Sequence, residues 1–181
     1  MDPVPINEAE AVLEPFWDPK QSEFEQWQVS PGDEHGLDVR QNWCNVVFEW
    51  MRQPDAGPAV EMSRALDVDC SHYNALVLSL VAPAGAVVRF AAGTDRGRPQ
   101  TVSDPVPDEG KLELVLDLDG AARVSELQIA IEPGADGQAR GWLNWVGLQH
   151  DRRLQEKLHR RQAFRPDWKK HLKDPAAFER A

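Results

Sequence analysis

Leu112-Glu113-Leu114-Val115-Leu116-Asp117-Leu118 sets four leucines on one side of an extended chain, with Glu113 and Asp117 on the other. Side chains of a strand point alternately to opposite faces, so this segment reads as a strand with one face on a core and one in water. The same two-residue period recurs at Leu76, Leu78 and Leu80, and at Leu127, Ile129 and Ile131 against Gln128, Ala130 and Glu132. Val46, Phe48 and Trp50 alternate likewise with Val47, Glu49 and Met51. Further strands are expected over 26–30, 60–66, 87–92, 101–102 and 141–149, about nine in all. Segments rich in Pro, Gly and Asp separate them at 53–58, 93–98, 103–110 and 133–139, and 69–74 is expected to cross between two strong strands. This pattern predicts an all-β, antiparallel two-sheet sandwich.

Outside that body the character changes. Residues 1–150 hold 10 Lys+Arg against 25 Asp+Glu, a formal charge of −15, whereas 151–181 hold 10 against 5, or +5. Asp151 is placed to cap a helix carrying Leu154 and Leu158 among basic residues; Pro166 interrupts it, and Trp168 and Leu172 repeat the spacing before Pro175. The expected organisation is an extended lead over 1–22, a sandwich over 23–150, and a short basic helical tail or linker over 151–181. Phe16, Trp17 and Phe24 are the anchors by which the proline-bearing N-terminal segment wraps the surface.

Composition bounds the function. With 41% apolar residues and seven Trp the chain is a folded body, not a disordered acidic one. A net charge of −10 argues against nucleic acid as the main partner. The longest apolar stretch, 75–85, is interrupted by Ser79 and Pro83 and is too short to cross a bilayer, so no membrane partner is expected. Residues 1–7 show no basic n-region or apolar h-region of a secretory signal. Cys44 and Cys70 form no C-x-x-C pair. If 46–52 and 60–66 form a hairpin near Ala56, Cys44 lies across from Val68, one diagonal from Cys70 and within disulfide reach; two free thiols are the alternative.

No catalytic signature stands out. His35, His72, His150, His159 and His171 are scattered, with no zinc spacing, no G-x-S-x-G and no phosphate-binding glycine pattern. Asp117, Asp119, Glu126 and Glu132 read as carboxylates solvating strand faces and turns. The tryptophans are more informative, because an exposed indole offers a stacking platform to the apolar C–H face of a sugar. Trp142 and Trp145, three apart, point to opposite faces of a regular strand and cannot both be core. Trp43, at a strand start beside a loop, is another candidate platform.

Three segments carry a resemblance. They are Phe24-Glu25-Gln26-Trp27-Gln28-Val29, the crossing Val68-Asp69-Cys70-Ser71-His72-Tyr73-Asn74-Ala75-Leu76-Val77-Leu78, and the closing Gly141-Trp142-Leu143-Asn144-Trp145-Val146-Gly147-Leu148. Over about residues 20–150 the chain resembles galactose-binding-like jelly rolls, whose members include carbohydrate-binding and accessory sandwiches of glycoside hydrolases and polysaccharide lyases. The resemblance implies a non-catalytic module that takes a polysaccharide or oligosaccharide over loop tips or a concave sheet face. Trp43, Asp95, Arg96 and Trp142 are then the expected platform, hydroxyl acceptor, donor and second platform. It also implies a structural calcium, for which Asn144 is an oxygen donor in the closing strand, although no D-x-D-x-D loop accompanies it. Two alternatives stay open: a structural domain that organises a neighbouring catalytic domain, and a self-contained glycoside hydrolase or lyase with a carboxylate pair.

Overall fold

A computed structural model describes residues 11–30, 36–50, 59–108, 110–134 and 140–151. Eleven strands follow in order among them: β1 (Ala11–Glu14), β2 (Gln28–Ser30), β3 (Leu37–Gln41), β4 (Val46–Trp50), β5 (Val60–Asp69), β6 (Ala75–Ala82), β7 (Val87–Thr94), β8 (Gln100–Val102), β9 (Gly110–Asp117), β10 (Arg123–Glu132) and β11 (Arg140–Gln149). The only helical piece among the described residues is a 3-10 turn at Phe24–Gln26. One sheet has the order β3-β4-β11-β6-β9, with β1 also paired to β11; the other has the order β2-β5-β10-β7-β8. Every pairing is antiparallel. The two-sheet sandwich expected from the alternation is therefore the fold. The helical tail expected over 151–181 lies, beyond Asp151, outside the described residues.

Alternation places the core between the sheets. Phe48 and Trp50 of β4, Leu76, Leu78 and Leu80 of β6, Leu116 of β9, Phe90 of β7 and Leu127 and Ile129 of β10 are all buried there. Burying a side chain of this size stabilises by about 1.5–3 kcal/mol, so these positions drive the two sheets together. Gly141 is forced by the packing: a Cβ there would stand 2.3 Å from Cζ of Phe48 and 2.4 Å from the carbonyl oxygen of Val81.

Several expectations are corrected. Strands β4 and β5 do not form a hairpin; β4 pairs with β3 and β11, β5 with β2 and β10, so the chain passes from one sheet to the other between them. Val68 faces Val124, and Cys44 and Cys70 are both free thiols. Trp142 and Trp145 do not point to opposite faces. An extra residue in β11 shifts its register between Leu143 and Trp145, so Leu143, Val146 and Leu148 all face the core while both tryptophans face outward. Strands β1 and β3 lie where no strand was expected. The lead enters the sheet at Ala11, and Phe16 behind it is fully buried.

That lead is locked by charge as well as by packing. The carboxylate of Glu14, fully buried, accepts from Ser22 Oγ (2.7 Å), the Glu23 N–H (3.1 Å), Trp27 Nε1 (3.0 Å) and Arg64 Nη1 (2.7 Å). Arg64, on the inward side of β5, also donates to Glu23 and to Gln26 Oε1 (3.1 Å). An ion pair so enclosed persists only because nearly every lone pair and donor is matched. It joins β1 of one sheet to β5 of the other and holds residues 22–27 where β2 begins.

Candidate functional site

The outward side of the five-stranded sheet forms a groove of about 680 Å³. Alternation builds it. Val29, Met62, Phe90 and Ile129 turn toward the core, so their neighbours Gln28 and Ser30, Glu61 and Ser63, Arg89 and Ala91, and Gln128 and Ala130 turn out. Arg98 and Gln100 complete the lining at the β8 edge.

Strand register arranges these side chains in rows that cross the sheet. Gln28 faces Ser63, Ser63 faces Gln128, Gln128 faces Ala91, and Ala91 faces Gln100. The middle row is thus Gln-Ser-Gln-Ala-Gln over five strands, amides on alternate strands with small side chains between. On one side runs Ser30, Glu61, Ala130 and Arg89. On the other, Glu126 of β10 lies between Ala65 and Gly93 and accepts from Arg98 Nη2 (2.5 Å) and Gln128 Nε2 (2.9 Å). Glu126 therefore fixes the orientation of the central amide. Arg89 has Glu132 at 3.8 Å, beyond hydrogen-bond distance, so its guanidinium fork keeps its donors for other acceptors. Among the described residues no aromatic side chain lines the groove, and Glu61 is the one carboxylate in contact with it, with Glu126 behind Arg98 and Gln128.

The four contact residues expected from the sequence are not brought together, and none lines this groove. Trp43 stands on the β3–β4 turn, 80% exposed. The turn is braced beneath it, since Gln41 Nε2 donates to the carbonyls of Phe16, Asn42 and Asn45 (3.0, 3.0 and 3.2 Å) and Asn42 Oδ1 accepts from the Trp43 N–H (2.8 Å). Trp142 lies half-buried on the outward face of the six-stranded sheet, opposite Val47 and Val81. Trp145 beside it packs with Val77 and Trp17 in a small second cluster.

Asp95 and Arg96 lie in the turn after β7. Asp95 Oδ1 accepts from the N–H groups of Arg123 (3.1 Å) and Ala122 (3.0 Å), and these bonds, Arg123's first, hold its carboxyl below the usual range. Arg96 Nη1 donates to the Asp119 carbonyl (3.3 Å). Both residues tie the turn after β7 to the chain between β9 and β10. Nearby, hydrogen bonding and charge from the Arg123 guanidinium lower Asp67, and a hydrogen bond from Ser71 lowers Asp69. Burial raises the Cys70 thiol. For the expected calcium, the carbonyl of Asn144 accepts from the Trp17 N–H (3.0 Å), and no three His, Cys, Asp or Glu side chains converge on a metal position among the described residues.

No protein-family model matches this sequence, and no curated protein matches it. Solved structures do match the fold. A carbohydrate-binding module specific for non-crystalline cellulose, CBM28, is similar over 77% of this chain and 94% of its own, with a TM-score of 0.51 and 12% identity. It has the jelly-roll fold of carbohydrate-binding modules. A family 11 carbohydrate-binding module from Clostridium thermocellum, solved with a β-1,3-1,4-mixed-linked tetrasaccharide, is similar over 77% of this chain and 95% of its own (TM-score 0.50, 10% identity). The agarase AgWH50C is similar over 78% of this chain but only 26% of its own (TM-score 0.55, 9% identity). The jelly-roll architecture of this chain is thereby fixed, and the groove lies on the outward side of one of its two sheets.

Proposed function

We propose that this protein is a non-catalytic carbohydrate-binding module whose glycan lies in the groove of the five-stranded sheet. The observation that carries the reading is the cross-strand row Gln28, Ser63, Gln128, Ala91 and Gln100. Amides and hydroxyls both donate and accept, as sugar hydroxyls do, and a row of them on a concave surface meets successive rings of one chain. Arg89, Arg98 and Glu61 add charged hydrogen-bond partners along the row. A neighbouring catalytic domain is compatible with this role, since the likeness to the agarase covers a small share of that longer chain.

Affinity electrophoresis and calorimetry against a panel of polysaccharides and oligosaccharides test the proposal. Binding is expected to at least one class, weakened about fivefold by Gln128→Ala, in line with the net worth of one hydrogen bond. A folded sample that binds no glycan, or one whose binding ignores substitutions in the groove, overturns it.

A further inference from the structure

We infer that the ligand of this groove is an uncharged, extended glycan chain running across the strands along the amide row, an inference that rests on the glycan-binding reading above. Register supplies the direction. Gln28, Gln128 and Gln100 sit on the first, third and fifth strands of the sheet, with Ser63 and Ala91 on the strands between. Neighbouring strands are ~4.8 Å apart, so the amides recur at about 10 Å. A hexose in an extended chain advances by roughly one strand spacing, and a ribbon-like chain offers the same edge at every second ring, so about five rings cover the row. The small side chains of Ser63 and Ala91 leave room for the rings between the amides. A chain laid along the strands would instead meet one amide and then run into charged side chains on either side.

Charge supplies the class. Each flanking row carries one cation and one anion, Arg89 with Glu61 on one side and Arg98 with Glu126 on the other. The three rows sum to no net charge, and counting Glu132, 3.8 Å from Arg89, leaves an acidic excess. This patch sits in a segment, 1–150, whose formal charge is −15. A polymer of carboxylates or sulfates thus finds no cationic surplus in the groove and a repulsive field around it. A neutral chain meets no such barrier. With no aromatic platform among the described lining residues, affinity accumulates ring by ring through hydrogen bonds, which makes chain length decisive.

The test compares linear neutral β-linked oligosaccharides of two to six residues, mixed-linkage β-glucan and β-1,4-galactan with polygalacturonate as the carboxylate polymer and carrageenan as the sulfated one, at low salt. A neutral probe is expected to bind, with affinity rising about fivefold for each further amide that the chain reaches and levelling off near five rings. Glu61→Gln, which removes one negative charge from the groove, is expected to raise polygalacturonate affinity about fivefold relative to the affinity for the neutral chains. The inference is overturned if either anionic polymer binds the unaltered protein as well as the neutral ones do, or if a disaccharide binds as tightly as a pentasaccharide. In those cases glycan binding itself still stands. Absence of binding to every probe removes the proposed function and this inference with it.

Discussion

On the five-stranded sheet the outward positions of the three central strands include Glu61, Ser63, Arg89, Ala91, Gln128 and Ala130. On the six-stranded sheet the corresponding positions include Val47 of β4, Val77 and Val81 of β6, and Trp142 and Trp145 of β11, with Ser79 opposite Trp145 and the polar Glu49 and Arg140 at one end. Both sets come from the same alternation, yet Val47, Val77 and Trp145 are almost fully buried although they face away from the interior between the sheets. A face that buries tryptophan and valine contributes to stability. A face of amides, hydroxyls and paired charges contributes little to stability, and it is the face on which we propose the glycan lies. The comparison separates two roles that the sequence presented as one pool of outward-facing residues.

The largest expected effect comes from cutting the link between the sheets. Glu14→Ala removes the buried partner of Arg64 and leaves it the half-exposed Glu23, and loss of one partner of a buried pair costs about 3–5 kcal/mol. Urea unfolding reads this directly. The double substitution Glu14→Leu with Arg64→Met should recover much of the loss, and failure to recover would assign the cost to the bonds with Ser22 and Trp27 instead.

Next comes Trp145→Ala, which opens the small cluster with Val77 and Trp17 and should cost about 3 kcal/mol of stability. Glycan affinity should stay unchanged at a temperature where the protein is folded. A loss of affinity would show that the two outward faces are not separate in function. Gln128→Ala is the mirror experiment, expected to cost about 1 kcal/mol of binding and less than about 0.5 kcal/mol of folding stability. Trp43→Ala is expected to leave both quantities within about 0.5 kcal/mol, because the indole is exposed and absent from the groove. If it abolished binding, the ligand would lie over the β3–β4 turn, as the tryptophan pattern alone suggests.

The smallest effect is a pH dependence at one end of the sandwich. Asp67, Asp69 and Asp95 titrate below the usual carboxylate range in the folded chain. On acidification the unfolded chain therefore takes up protons first, so stabilisation is complete above about pH 5 and is lost as pH falls through the lowered values. Asp67→Asn should flatten that loss in acid denaturation curves. An unchanged curve would place the acid sensitivity elsewhere.

Much of the fold was legible because a period of two survives any ignorance of which strands are neighbours. Leu112 to Leu118 and Leu127 to Ile131 could be assigned to a core without knowing what lay across it. Strand β3 was missed because Leu37 and Val39 give only two turns of the pattern, and β1 because Ala11 and Leu13 give no more. The groove was harder. Gln128 and Ala130 were visible as outward residues, but their alignment with Gln28, Ser63 and Gln100 depends on pairings between distant segments, the widest joining Ser63 to Gln128, and periodicity carries no register. The opposite facing expected of Trp142 and Trp145 gives way for a related reason, since a regular period does not carry across a position where the strand holds one residue too many.

That surplus residue has a consequence for how the closing strand tolerates change. Leu143 faces Leu80 and Trp145 faces Ser79, so Asn144 stands between paired positions as the unmatched residue of β11. Removing it would leave a regular strand with Leu143, Val146 and Leu148 still inward and Trp145 and Gly147 still outward. The closing strand thus holds one residue of slack, and a deletion there, unlike one in a regular strand, would spare the assignment of both faces.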